Sequence, residues 1–187
     1  MDEELEFVFD SAEEGMSKAI ERLEHEMARI RAGKASPMML NSVQVEYYGS
    51  MTPLKNLANV TTPDSKTLMI QPFEKGLLEE IEKGIMRANL GFNPGNDGKV
   101  VRINIPPLTE DRRRDLVKQA KAVAEQAKVS IRSARKDAND EIKSLEKDGL
   151  SEDLAKDAES KIQDLTTKYS NKVDALVDEK EKDIMTI

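Results

Sequence analysis

Two rhythms of apolar and polar positions alternate along this 187-residue chain. Over residues 3–30, Leu5, Phe9, Ala12, Met16, Ala19, Leu23, Met27 and Ile30 recur at steps of three and four, which places them on one stripe of an α-helix. Ala32-Gly33, with Pro37 beyond, ends that helix. The same rhythm returns after Thr109, an N-cap residue followed by Glu110 and Asp111, whose carboxylates suit the positive end of the helix dipole. Leu116, Ala120, Val123, Ala127, Ile131, Ala134, Ala138, Ile142 and Leu145 then repeat every eleven residues, the period of a nearly straight helix. Running to Lys147, this helix would be on the order of 55–60 Å long. Gly149 stops it and Ser151-Glu152-Asp153 starts another, with Leu154, Ala158, Ile162, Leu165, Tyr169, Val173 and Leu176 as its stripe.

Residues 36–106 follow a different rhythm. "VQVEYYGSMTPL", "LANVTT", "TLMIQPF" and "VVRINI" are short β-branched or aromatic runs divided by turn formers, so they read as strands. "EKGLLEEIEKGIMRANLG" sets Leu77, Leu78, Ile81, Ile85 and Met86 on one side of a short helix. "GFNPGNDGKV" fails as a phosphate loop, because Asn93 stands at the first glycine position and Val100 replaces the metal-binding hydroxyl; it reads as a turn.

Three amphipathic helices can bury one another's stripes, whereas one or two leave apolar surface in water. The first and last parts of the chain therefore predict one bundle. The fold class is α+β: a long three-helix bundle of residues 1–30 and 106–187, with residues 31–105 inserted as a small β/α/β domain. Two connections, 31–36 and 104–108, join them. Ala32, Gly33 and Lys34 in one, with Pro106 and Pro107 in the other, make this crossing a candidate hinge.

Charge changes the picture. The net charge is −7, yet residues 112–136 alone carry +7, residues 31–111 carry 0, and residues 1–30 and 137–187 carry −7 each. Arg114, Lys118, Lys121, Lys128, Arg132 and Arg135 fall within a sector roughly 100° wide on the long helix, about 120° from its apolar stripe. Glu125 interrupts the line, and Arg29, Arg31 and Lys34 lie near the first junction. Two readings remain open. The cations, Arg112, Arg113, Lys118 and Lys121 first among them, pair with acidic faces of neighbouring helices. Alternatively they form a ridge about 30 Å long for a polyanion, where each neutralised phosphate releases counterions. The acidic remainder would then oppose indiscriminate nucleic-acid binding.

Catalytic chemistry has little support. The chain has no cysteine and one histidine; His25-Glu26 begins a zinc-protease pattern, but Arg29 stands where the second His belongs. The carboxylates are scattered without assignable partners, so no enzyme activity, metal or cofactor is expected. No apolar run reaches the length of a membrane span, and "MDEE" at the start lacks a secretory h-region. The expectation is a cytoplasmic protein.

The stretches "RIRAGKASP" at 29–37, "VEYYGSMTPLKNLANVT" at 45–61, "PPLTEDRRRDLVK" at 106–118 and "VSIRSARKDAND" at 129–140 together resemble the ribosome recycling factors along essentially the whole chain. Lys34 departs from the Arg usual in that family's pattern, and Lys cannot grip a phosphate with two parallel bonds. The resemblance implies an L-shaped, two-domain molecule with a flexible elbow. It implies a non-enzymatic factor that binds the post-termination ribosome. With elongation factor G and GTP hydrolysis by that factor, it would split the subunits and release mRNA and tRNA. The implied partners are the ribosome, mainly large-subunit rRNA, and elongation factor G, with no DNA or membrane, for a monomer. By resemblance Arg132 is the foremost rRNA contact, beside Lys128, Arg135 and Lys136; Arg29, Arg31, Lys121, Lys118 and Arg114 complete the set. Asp137 and Asn139 would fix local helix packing or orient the Arg side chains, and Tyr47 and Tyr48 would serve the small domain's core or turn in preference to stacking on a base. The competing class is a helical scaffold that binds an acidic protein through the same basic face; a general nucleic-acid chaperone is a third.

Overall fold

The computed structural model describes residues 2–186. It contains four α-helices and six strands in the order α1 (Asp2–Arg29), β1 (Gln44–Tyr47), β2 (Ser50–Pro53), β3 (Ala58–Asp64), β4 (Thr67–Pro72), α2 (Leu78–Arg87), β5 (Pro94–Asn96), β6 (Val101–Asn104), α3 (Glu110–Lys147) and α4 (Glu152–Met185). The chain divides into two compact units, residues 1–32 with 110–187 and residues 33–109. Pro106 and Pro107, assigned to the bundle from sequence, thus fall within the second unit.

The larger unit is a bundle of α1, α3 and α4. Near one end, Leu5, Val8 and Ala12 of α1 meet Ala138 and Ile142 of α3 and Ala155, Ala158 and Ile162 of α4. The start of α1 therefore lies against the end of α3 and the start of α4, so α3 runs antiparallel to the other two. Small side chains make this close: a Cβ added at Gly15 would sit 3.4 Å from Cβ of Ala134. Met16, Leu23, Ile131, Ile142, Ile162 and Ile184 are fully buried. Each such side chain contributes roughly 1.5–3 kcal/mol by leaving water.

The junction between α3 and α4 has a local cause. Gly149 adopts φ 114, a conformation that costs glycine little. Leu150 N–H then donates back to Leu145 O at 2.9 Å. The Ser151 hydroxyl accepts from Leu154 N–H at 3.3 Å and caps α4. Thr166, a buried polar residue, donates its hydroxyl to Ile162 O at 2.8 Å.

The smaller unit has a four-stranded antiparallel sheet in the order β3-β4-β6-β5 and a separate β1–β2 hairpin. Leu68, Ile70, Val101 and Ile103 alternate inward from β4 and β6 and meet Ile81 and Ile85 of α2 and Val45 of β1 in one core. Gly84 lets α2 lie against β1: an added Cβ would stand 2.7 Å from Gln44 O. Tyr48 and Gly49, at φ 47 and 82, turn the hairpin between Tyr47 and Ser50, the left-handed pair of a type I′ turn. Tyr48 is 86% exposed there. Tyr47 packs against the core edge, and its hydroxyl donates to Glu74 at 2.9 Å.

Several sequence expectations need correction. Residues 94–96, read as a turn, form β5 through pairing with β6. Met86 is exposed; α2 buries Leu78, Ile81, Gly84 and Ile85 instead. In α3 Ala124 is buried while Val123 and Ala134 are only half-buried, and in α4 Ala155 replaces exposed Leu154. The helices turn slightly from the stripe that spacing alone selects.

Candidate nucleic-acid interface

The cations of α3 stand on a helix anchored by its other side. Ala120, Ala127, Ile131 and Ala138 are buried against α1 and α4, so their neighbours Lys118, Lys121, Arg132 and Lys136 are exposed. At 1.5 Å per residue, the 38-residue helix is about 57 Å long, enough to carry every cation of the ridge from Arg114 to Lys136.

The cations differ in what holds them. Lys128 Nζ lies 2.6 Å from Asp174 Oδ1 on α4, with about a third of its side chain exposed. Arg132 donates from Nη2 to Glu125 Oε1 at 2.8 Å on its own helix, and half of its side chain remains in solvent. Arg135 donates to Gln163 Oε1 of α4 at 3.5 Å. Arg114 pairs with Glu110 at 2.7 Å, and Arg29 with Glu26 at 3.5 Å, both within one helical turn. Lys118, Lys121 and Lys136 are exposed and form no ion pair among the described residues. Exposed ion pairs contribute under ~1 kcal/mol, so an incoming phosphate can replace these carboxylates.

This pattern corrects one expectation. Of the cations named first for pairing between helices, Lys118 and Lys121 have no such partner, and Arg113 donates to the Met185 carbonyl at 3.5 Å. The bond across to an acidic helix falls on Lys128 instead. Sequence spacing also missed Asp174 and Gln163, because which residue of α4 faces Lys128 or Arg135 depends on the register of two packed helices. Asn139 keeps its Oδ1 buried without a partner, and Asp137 is exposed.

The two connecting segments both fasten to the β3–β4 turn. Ala35 N–H donates to Ser65 O at 2.8 Å, and Ile105 N–H to Lys66 O at 2.7 Å. Just outside these bonds Gly33 takes φ 74, and a Cβ there would come within 2.5 Å of Leu108 Cγ. Ala32 is half-buried, whereas Arg31, Lys34, Pro106 and Pro107 are exposed. The segments are pinned at 35 and 105, and only a few residues lie beyond each pin.

Among the described residues no group of three or more side chains is placed to hold a metal ion, and no helix is long and apolar enough to cross a membrane.

Residues 23–185 match the family model for ribosome recycling factor. The chain is 57% identical over 185 residues to the ribosome-recycling factor of Christiangramia forsetii, covering 99% of this chain and all of that one. It is 50% identical over 181 residues to that of Clostridium perfringens, covering 96% and 98%. A solution structure of a ribosome recycling factor superposes with a TM-score of 0.72 at 40% identity, covering 98% of each chain. A second solved structure matches at TM-score 0.61 and 43% identity, covering 97% and 99%; it comprises models of the T. thermophilus ribosome recycling factor and E. coli elongation factor G bound to the E. coli post-termination complex.

Proposed function

The chain belongs to the ribosome recycling factor family, and from that premise we propose that it binds the post-termination ribosome through the cationic face of α3 and helps elongation factor G split the subunits. The observation that carries this reading is the placement of Arg132, Lys118, Lys121 and Lys136 on the solvent side of a helix whose other side is fixed in the core.

The ridge acts as a linear phosphate receptor. Arg132 supplies a planar fork suited to a phosphate, and the lysines supply charge along the backbone. Lys128 and Arg135, tied to α4 at rest, join when phosphates compete for them. Arg114, Arg29 and Arg31 extend the contact towards the junction. Large-subunit rRNA is the anionic surface rigid and dense enough to engage such a row. The factor acts as a monomer in the cytoplasm, and it performs no bond chemistry: GTP hydrolysis belongs to elongation factor G.

The two units, residues 1–32 with 110–187 and residues 33–109, move about the two connections near Ala32, Gly33, Lys34, Pro106 and Pro107. The left-handed φ of Gly33, a conformation open to glycine, supports this pivot. Motion of the small unit under elongation factor G then transmits force to a bundle stiff enough to deliver it.

Polysome breakdown with elongation factor G and GTP tests the reading. Charge reversal at Arg132 is expected to weaken breakdown and large-subunit co-sedimentation together. If co-sedimentation survives, the basic face serves another partner, an acidic protein being the nearest alternative. Comparable binding to unrelated RNA would indicate a general chaperone.

A further inference from the structure

The end of the bundle formed by the first turns of α1 and the last turns of α3 has a surface chemistry opposite to that of the ridge. An open groove of about 350 Å³ lies there, lined by buried Val8, half-buried Leu145, and exposed Phe7, Ser144, Glu3, Glu4 and Glu141. Val8 belongs to the core, but Phe7 is 67% exposed. It lies off the stripe that packs α1 into the bundle, so packing within the bundle does not account for its phenyl ring. The surroundings are acidic: residues 2–7 hold four carboxylates and no cation, and residues 137–148 hold five carboxylates against Lys143 and Lys147.

We infer that this groove docks a basic segment of a protein, with one bulky apolar side chain seated between Phe7 and Leu145 over Val8 and flanking Lys or Arg residues set against Glu3 and Glu141. Charge complementarity selects this occupant. A phosphate backbone or an anionic lipid surface would meet a net negative charge here, and a second copy of the same acidic end would be repelled. The groove is too open and too poor in convergent polar groups to enclose a small molecule. An apolar anchor inside a charged rim is the arrangement that makes a short peptide contact specific. The groove uses a stretch of α3 beyond the cationic ridge, so this inference stands apart from the proposed rRNA contact.

Titration of the full-length, ¹⁵N-labelled protein with the doubly capped peptide Arg-Lys-Phe-Lys-Arg tests it. The expected result is saturable amide shifts confined to residues 3–8 and 141–145. Phe7→Ser and Glu141→Lys are each expected to weaken binding at least about fivefold. Replacing the peptide's Phe by Ala should weaken it equally on the unaltered chain, a comparison that needs no variant to fold. The inference is overturned if no peptide binds, if the shifts spread over the acidic faces of α1 and α4 in general, or if the Phe and Ala peptides bind alike. Equal shifts of the same amides by a short RNA oligonucleotide would also overturn it.

Discussion

Arg132 Nη2 lies 2.8 Å from Oε1 of Glu125, an acid two turns back on the same helix and the carboxylate that interrupts the cationic ridge. The guanidinium is thereby held along the helix surface, half in solvent, by a partner that a phosphate can displace. Glu125 is thus a built-in competitor for the residue proposed to grip rRNA.

Removing that competitor should strengthen binding. Glu125→Gln leaves an isosteric side chain but no charge, and the exposed pair it breaks is worth under ~1 kcal/mol. Large-subunit affinity is therefore expected to rise by up to about fivefold, measured by co-sedimentation across a salt series. Unchanged or weaker binding would show that Glu125 orients Arg132 and does not restrain it.

Leu108 crowds the space beside Gly33, next to the proposed pivot. Gly33→Val adds branched atoms where a Cβ alone would stand 2.5 Å from Leu108 Cγ, at a φ of 74 that a β-branched residue resists. Subunit splitting by this variant is expected to slow while large-subunit binding persists. Leu108→Ala in the same chain should recover part of the rate by removing the clash. Full activity of Gly33→Val alone would mean that splitting does not require this pivot.

The small unit depends on one close backbone approach. Gly84→Ala would push a methyl group to 2.7 Å from Gln44 O, and the helix-propensity gain of alanine over glycine, about 1 kcal/mol, is outweighed by a clash of roughly 1–3 kcal/mol or more. Thermal unfolding should show a lower midpoint for Gly84→Ala. Gly76→Ala meets nothing within 4 Å and should unfold at or slightly above the unaltered temperature.

Acid should loosen the same unit through its turns. Asp97 accepts from Val100 and Lys99 N–H groups, each at 2.9 Å, and these bonds hold its carboxyl below its ordinary value. Asp64, which accepts from Lys66 N–H at 2.8 Å, is lowered in the same way. A depressed folded-state value stabilises the fold above the unfolded value, near ~4, and that stability is lost as pH falls through the folded one. Melting temperature should therefore drop below about pH 4. Asp97→Asn, which keeps an accepting oxygen but cannot titrate, should flatten part of that drop.

Periodicity was enough to read the bundle, because helix-long stripes average over single errors: the stripe residues from Leu5 to Met27 on α1 are buried or half-buried throughout. Gly149 and Ser151 were equally plain, since each has one local job. β5 was hidden because Pro94, Gly95 and Asn96 have no intrinsic strand preference and are extended only by pairing with β6. Leu154 misled for a related reason: in a first turn two adjacent apolar residues compete, and the packing of α4 chose Ala155. At the interface the row of cations was legible from spacing. The resting partners of Lys128 and Arg135 were not, because they belong to a helix some thirty to fifty residues further along the chain.

The central claim is that the outward cations of α3 hold this protein on ribosomal RNA. Co-sedimentation of the Arg132→Glu variant with purified large subunits at physiological salt tests it most directly, with melting temperature confirming that the exposed substitution leaves the bundle folded. Loss of a charge-assisted contact of about 1.5–3 kcal/mol predicts affinity reduced at least about tenfold. Association equal to that of the unaltered chain would contradict the claim.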